Sequence, residues 1–96
     1  FLDRVQTEDR NPVAAFLLIK EGNDRAAVPL LRSVLRKYPD DADSAHNLSI
    51  ALWRVGSRRK AISAALQATR SAPAREDIFL HYLELLLAER EFSAVD

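Results

Sequence analysis

Apolar residues recur along the chain at the spacing that places side chains on one face of an α-helix. Leu48, Ala51, Leu52 and Val55 stand at i, i+3, i+4 and i+7. Two further sets follow the spacing i, i+4, i+7 and i+11: Ala27, Leu31, Val34 and Tyr38, and then Ala61, Ala65, Ala68 and Ala72. No stretch alternates apolar and polar residues as a β-strand does. The pattern therefore predicts an all-α protein.

Glycine and proline divide these helical patterns into units. Gly22 and Gly56 are the only glycines, and each stands between two helical stretches. Glycine adopts the left-handed backbone that ends a helix, and proline cannot continue one. Each unit is therefore predicted to be a helix, a tight turn at the glycine, a second helix, and a break at Pro39 or Pro73.

The two units repeat at a fixed interval, the separation between Gly22 and Gly56, which we call the repeat interval. Five pairs of identical residues share it: Gly22 and Gly56, Arg25 and Arg59, Ala27 and Ala61, Arg36 and Arg70, and Pro39 and Pro73. A third unit follows Pro73 with an apolar helix, and Arg90 stands where the next glycine turn is expected. We therefore predict five complete or partial helices after residue 8, paired antiparallel, the last of them cut short at the end of the chain.

Composition narrows the class of protein. Ninety-six residues are enough for one small domain. The 14 basic and 14 acidic residues cancel, so no general affinity for nucleic acid is expected. The longest apolar run, Val13–Ile19, is far shorter than the roughly 20 residues that span a bilayer, so no direct membrane insertion is expected. Cysteine is absent, which excludes disulfides and thiol chemistry. The bias towards alanine, leucine and arginine favours a bacterial source.

A helix–turn–helix unit of this length, about 34 residues, resembles the tetratricopeptide repeat (TPR). The eight signature positions of that family fall on Leu48, Ser49, Leu52, Gly56, Ala61, Ala65, Ala68 and Pro73. Three of them depart from the family pattern: Leu52 replaces a tyrosine, Ser49 a glycine and Ala65 an aromatic residue. By this resemblance residues 8–41 and 42–75 are complete repeats, residues 76–96 are a partial repeat, and residues 1–7 are the tail of a preceding helix.

The resemblance implies a fold and a binding surface. TPR units stack into a right-handed superhelical solenoid of antiparallel helix–turn–helix repeats. Here the resemblance implies a single domain over residues 1–96. We interpret this sequence as a piece of a longer protein. The first helix of each unit lines a concave groove. The residues expected there are Phe16, Ile19, Lys20, His46, Asn47, Ile50, Trp53, Arg54, Leu80, His81, Glu84 and Leu87.

Eight of these residues form the predicted peptide-binding site. They combine apolar, amide and charged side chains: Phe16, His46, Asn47, Ile50, Trp53, Arg54, His81 and Glu84. Ile50 and Trp53 offer apolar contact, while Asn47 and Arg54 can bond a peptide backbone or a carboxylate. The alternative for Trp53 is that it packs between neighbouring repeats.

The carboxylate clamp of the chaperone-binding members of the family is not expected here. Asn47 matches one of its five positions, but the other four hold Pro12, Phe16, Asp77 and His81. Without lysine and arginine at those places, a terminal carboxylate has no charge partner.

Two clusters of polar residues allow other interpretations. Asp43 and His46 on one helix, with Asp77 and His81 on the next, form a set that could hold zinc. The simpler interpretation is a solvated groove rim, and we predict neither a metal nor a cofactor. The basic run at 54–60 is either a solvated turn or a patch for an acidic partner.

Two functions fit the sequence. The first is a protein-interaction or scaffold module that holds a partner peptide or helix in its groove. The second is a structural segment of a larger enzyme of glycosyltransferase or sulfotransferase type, or of an envelope or secretion assembly, with the groove filled by its own chain or by a copy. Self-association is expected because the third unit lacks most of its second helix. No spacing pairs a nucleophile with a base, so the chain is not predicted to be an enzyme.

Overall fold

A computed structural model of the chain describes the backbone of residues 12–95 and the side chains of residues 12–91. This part of the chain is helical and contains no strand. Its five helices are α1 (12–20), α2 (Asp24–Lys37), α3 (Ala42–Arg54), α4 (Arg58–Ser71) and α5 (Glu76–Val95). The all-α class and the five helices are confirmed. The predicted helix tail over 1–7, and positions 8–11 of the first repeat, lie outside the described residues.

The two glycine turns have the same hydrogen bonds. At the first turn the N–H of Gly22 donates to Ile19 O at 3.0 Å, and the N–H of Asn23 donates to Leu18 O at 2.7 Å. At the second turn Gly56 and Ser57 repeat both bonds, at 3.1 Å and 2.9 Å. Both glycines have positive φ, 83° and 92°. This is the Schellman arrangement, in which two bonds satisfy the last carbonyls of the helix, and it confirms the predicted turns.

The breaks at proline are also confirmed. Helix α2 ends shortly before Pro39, and α4 ends shortly before Pro73. Helix α3 then begins at a cap, because the carboxylate of Asp41 accepts from the N–H of Ser44 at 3.2 Å and from its hydroxyl at 2.9 Å. An acidic N-cap accepts hydrogen bonds from backbone N–H groups that have no partner within the helix. Its negative charge also interacts favourably with the positive end of the helix dipole.

Helix α4 lies between α3 and α5 and packs against both. Its buried face consists of alanine: Ala61, Ala64, Ala65 and Ala68. Such small side chains let helix axes approach closely. Ala61, Ala64 and Ala65 belong to the main core cluster, to which other helices contribute larger residues such as Leu31, Leu52 and Leu85. Ala68 belongs to a second cluster with Ala45 and Ile78. Since only a short turn joins α3 to α4, these packed helices run antiparallel.

The predicted turn at Arg90 is wrong. Helix α5 continues without interruption from Glu76 to Val95. Arg90 stands one repeat interval after Gly56, but it cannot adopt a left-handed backbone without cost, and its neighbours Ala88, Glu89 and Glu91 all favour helix. The third unit is therefore one long helix over the described residues. None of the helices in this part of the chain is long and apolar enough to span a bilayer.

Candidate functional site

The first helices of the three units lie side by side. Helices α1 and α3 meet around a shared pocket that contains Phe16 and Ile50. Helices α3 and α5 meet where the ring of His46 contacts the ring of His81. Four of the predicted peptide-binding residues, Phe16, Asn47, Ile50 and Arg54, therefore line one pocket, and two others form a separate pair.

We call the first of these features the Phe16–Ile50 pocket. It is an open depression of about 460 Å³ lined by Phe16, Ile19, Lys20, Gly22, Asn47, Ile50 and Arg54. Phe16 is 45% exposed and forms a wall, whereas Ile19 is 7% exposed and lies in the core. Ile19 therefore lines the pocket, as expected for a groove residue, but only its edge reaches the surface.

Two cations flank this apolar pocket. The ammonium of Lys20 lies 5.4 Å from the centre of the Phe16 ring, within the range of a cation–π contact. Arg54 donates from Nη1 to the carbonyl of Ile19 at 3.3 Å and to Asp24 Oδ1 at 3.4 Å. These long bonds hold Arg54 beside the end of α1 while half of its side chain, 52%, stays exposed.

Trp53 and Glu84 do not line the Phe16–Ile50 pocket. Trp53 is half-buried and packs against the main core cluster. This agrees in part with the alternative interpretation, in which Trp53 has a packing role. Glu84 is exposed on α5. Any ligand that contacts all eight predicted residues must therefore extend across α1, α3 and α5.

His46 and His81 form a pair at the contact between α3 and α5. Their ring centres are 4.6 Å apart, and the planes are nearly perpendicular at 77°. The hydroxyl of Ser49 donates to the carbonyl of His46 at 2.6 Å and lies 2.9 Å from His81 Nε2. Because the single hydroxyl proton goes to the carbonyl, Ser49 accepts from His81, and His81 carries its proton on Nε2.

Burial disfavours the charged form of both histidines. Loss of solvation lowers the pKa of His46 from its ordinary value of 6.5, an effect that Asp77 and Asp43 partly oppose. The pKa of His81 is lowered by burial and by His46, and Glu84 opposes the shift. Among the described residues, Nδ1 of His46 is buried without a hydrogen-bond partner. Protonation would place two positive charges in contact across this helix pair.

The four residues considered for zinc are divided between two unrelated contacts. Arg75 binds Asp77 with two bonds of 2.9 Å and lies 3.2 Å from Asp43, so a guanidinium occupies the space between the carboxylates. This pairing lowers the pKa of Asp77 to about 2. The described residues contain no group of three or more side chains placed to hold a metal ion. The geometry does not favour the zinc interpretation.

Sequence reasoning overlooked two residues that shape this surface, and it left a third, Lys20, out of the binding site although Lys20 was expected to face the groove. Ser49 was noted only as a replacement for a glycine, yet it is fully buried and joins His46 to His81. Arg75 stands outside any predicted helix, and Lys20 was not among the predicted binding residues. Lys20 and Arg54 are separated by the repeat interval. Because Arg54 was a predicted binding residue, this equivalence could have added Lys20 to the predicted site.

The basic run at 54–60 is partly engaged within the fold. Arg58 pairs with Glu89 of α5 at 2.9 Å, a contact between distant parts of the chain. Arg54, at the start of the run, turns towards α1 and α2 instead. The run is therefore divided between two sides of the fold and does not form one basic patch.

The outer face of α5 is apolar. Four side chains on it are exposed: Phe79, Leu80, Leu86 and Leu87. They recur at i, i+1, i+7 and i+8, so they form one stripe opposite the face that packs on α4. Exposed apolar stripes of this kind are typical of surfaces that contact another helix.

We expect acid to destabilise the domain through the histidine pair. Both histidines have a pKa below 6.5 in the folded chain, so the unfolded chain takes up protons first. The unfolded state then binds more protons, and the free energy of unfolding falls as pH decreases through about 6.5. Chemical denaturation between about pH 8 and about pH 5 measures this effect.

The control is a variant with both His46→Gln and His81→Gln. These are the two histidines of the chain, so its stability should vary little across the same pH range. The shifted carboxylate of Asp77 loses its contribution only below about pH 4, which keeps the two effects apart. A parent chain that is equally stable, or more stable, near pH 5 would contradict the prediction.

No protein-family model matches the chain. No curated protein matches it at a significant level.

Proposed function

We propose that this chain is a TPR-like module that binds a segment of a partner protein across its first helices. The observation that carries the proposal is the Phe16–Ile50 pocket, an open apolar depression with an amide and two cations at its edge. Open pockets between the helices of a repeat array accept peptides and helices through a few apolar anchors.

The repeated turns support the TPR-like part of the proposal. Gly22 and Gly56 have the same conformation and the same two hydrogen bonds, one repeat interval apart. Proteins built from one repeated supersecondary unit stack their units with a constant geometry. We extend this to a right-handed superhelix in which residues 8–41, 42–75 and 76–96 are successive units.

The nature of the surface favours a protein segment over a small molecule or a catalytic role. The pocket is wide open, and Phe16 and Ile50 remain partly exposed in it. Asn47 can donate to and accept from a peptide backbone at the edge of the apolar contact. An extended ligand would continue from this pocket over Trp53 towards Glu84 on α5.

The test is a selection of random peptides displayed against the whole chain, followed by affinity measurements on variants. Trp53→Ala and Arg54→Glu should each weaken the selected peptides by about 2 kcal/mol, roughly 30-fold, because tryptophan and arginine dominate such interfaces. Arg70→Glu is the matched control, since Arg70 is exposed on α4 and does not line the pocket.

Thermal melts must accompany these measurements because Trp53 also packs against the core. If Trp53→Ala proves unstable, the test relies on Arg54→Glu, because the side chain of Arg54 is half exposed and not part of the core. If Arg70→Glu abolishes binding while both groove variants bind normally, the binding face is wrong.

The second candidate function is that of a structural segment in a larger enzyme or envelope assembly. In that case the groove of this chain is filled by its own chain or by a copy. The apolar stripe on α5 favours it, because such a surface also allows association with another copy. Sedimentation of the samples used for the affinity measurements tests the copy: a dimer favours the structural segment, and a monomer excludes a second copy as the occupant of the groove.

A further inference from the structure

The charged side chains that line the Phe16–Ile50 pocket are basic. Among the residues that the structure describes, its lining contains Lys20 and Arg54 but no aspartate or glutamate. The two cations stand one repeat interval apart, so they occupy equivalent positions at the ends of α1 and α3. A ligand in this pocket therefore meets an apolar surface with positive charge along one edge.

Both cations retain donors for a ligand. The two hydrogen bonds of Arg54 to described residues use Nη1, which leaves Nη2 and Nε for a further acceptor. Lys20 is exposed, and its contact with the Phe16 ring orients the ammonium over the pocket wall. Asp24 balances part of the charge of Arg54, but at 12% exposure it presents little of its own charge to solvent.

Building on the proposed function, we propose that the pocket selects a partner segment with an apolar residue next to an acidic one. The apolar side chain enters between Phe16 and Ile50, above the edge of Ile19. The neighbouring carboxylate accepts from Lys20 and Arg54, and Asn47 bonds the peptide backbone between them. Charge complementarity identifies this occupant, because a basic or neutral segment would bring no negative charge to Lys20 or to the half of Arg54 that stays exposed beside its contact with Asp24.

The geometry also explains why the charges should affect specificity. Charge-assisted bonds to a carboxylate are shorter and stronger than neutral ones, and they gain strength beside an apolar surface that excludes water. Lys20 and Arg54 are partly solvated, so their contribution should decrease as ionic strength rises.

In the experiment, random displayed peptides are selected separately against the whole chain and against two charge variants. The peptides enriched on each are then sequenced. On the parent chain we expect enrichment of peptides that carry aspartate or glutamate beside a large apolar residue. On a variant with Lys20→Glu and Arg54→Gln, these peptides should bind at least about 30-fold more weakly, and the acidic preference should disappear. High salt should weaken the parent complex in the same direction.

The control variant combines Lys60→Glu with Arg59→Gln on α4, which changes the net charge equally at two exposed positions outside the pocket. It should keep the acidic preference and the affinity. Circular dichroism melts of both variants establish that they are folded.

The outcomes separate this inference from the proposed function. Enriched peptides that bind the pocket with no acidic bias, or with a basic one, overturn the charge inference and leave the proposed function standing. Enriched peptides whose affinity is unchanged by Lys20→Glu with Arg54→Gln and also by Trp53→Ala overturn both. Enrichment of sequences that match the chain's own α5 would identify a second copy as the occupant and would likewise overturn the inference.

Discussion

Ala61→Trp is expected to unfold the domain. Ala61 has no exposed surface and lies on α4 in the main core cluster, together with Leu48 and Leu52 of α3. An indole has no space at this contact unless α3 and α4 move apart. Adding even a few methylene groups to a packed core costs about 1–3 kcal/mol, and an indole adds far more volume. Small domains have roughly 0.05–0.15 kcal/mol of stability per residue, so a loss of this size removes much of the total.

The matched control is Ser63→Trp, which places the same indole on the exposed side of α4. Circular dichroism should show a cooperative melt for Ser63→Trp and the parent, and loss of helix or a strongly lowered Tm for Ala61→Trp. A Tm of Ala61→Trp indistinguishable from that of the parent would show that α3 and α4 do not pack closely at this residue.

Ile78→Ala is expected to lower the free energy of unfolding by about 2–5 kcal/mol. Ile78 is fully buried near the start of α5, in a small cluster with Ala45 of α3 and Ala68 of α4. Its two buried partners are alanines, so no larger buried side chain is available to fill the cavity that the substitution leaves. Cavities that cannot collapse give the upper part of this range.

Leu80→Ala is the comparison for this prediction, because Leu80 is 53% exposed on the same helix. Urea denaturation of the two variants should show a large loss of stability for Ile78→Ala and a small one for Leu80→Ala. Equal losses would mean that α5 does not dock through Ile78.

Helix ends were largely predictable because they depend on neighbouring residues. Gly22 and Gly56 terminate helices through their own left-handed backbone, and Pro39 and Pro73 prevent continuation. The failure at Arg90 has the same cause. There, the resemblance to a repeat family predicted a turn, but the local residues lacked the glycine that makes one.

The candidate site was predictable as a set of positions but not as a set of contacts. The resemblance to the repeat family placed Phe16 and Ile50 on the groove side of two first helices, and in the structure they share a pocket. The grouping of Asp43 with His46 and of Asp77 with His81 followed helical spacing. In the structure the carboxylates bind Arg75, and His81 contacts His46 and Ser49.

The sequence by itself determined the helical class, the period and the turns, because hydrophobic periodicity and helix capping depend on residues close together in the chain. Tertiary structure alone decided which side of each helix is covered. Ile19 lines the Phe16–Ile50 pocket only by its edge and is otherwise part of the core, and Ser49 is buried although it is polar. It also decided that Arg54 reaches Ile19 and Asp24, which belong to the preceding repeat unit. Such contacts depend on the distance and angle between packed helices, which the side chains of all neighbouring helices set together.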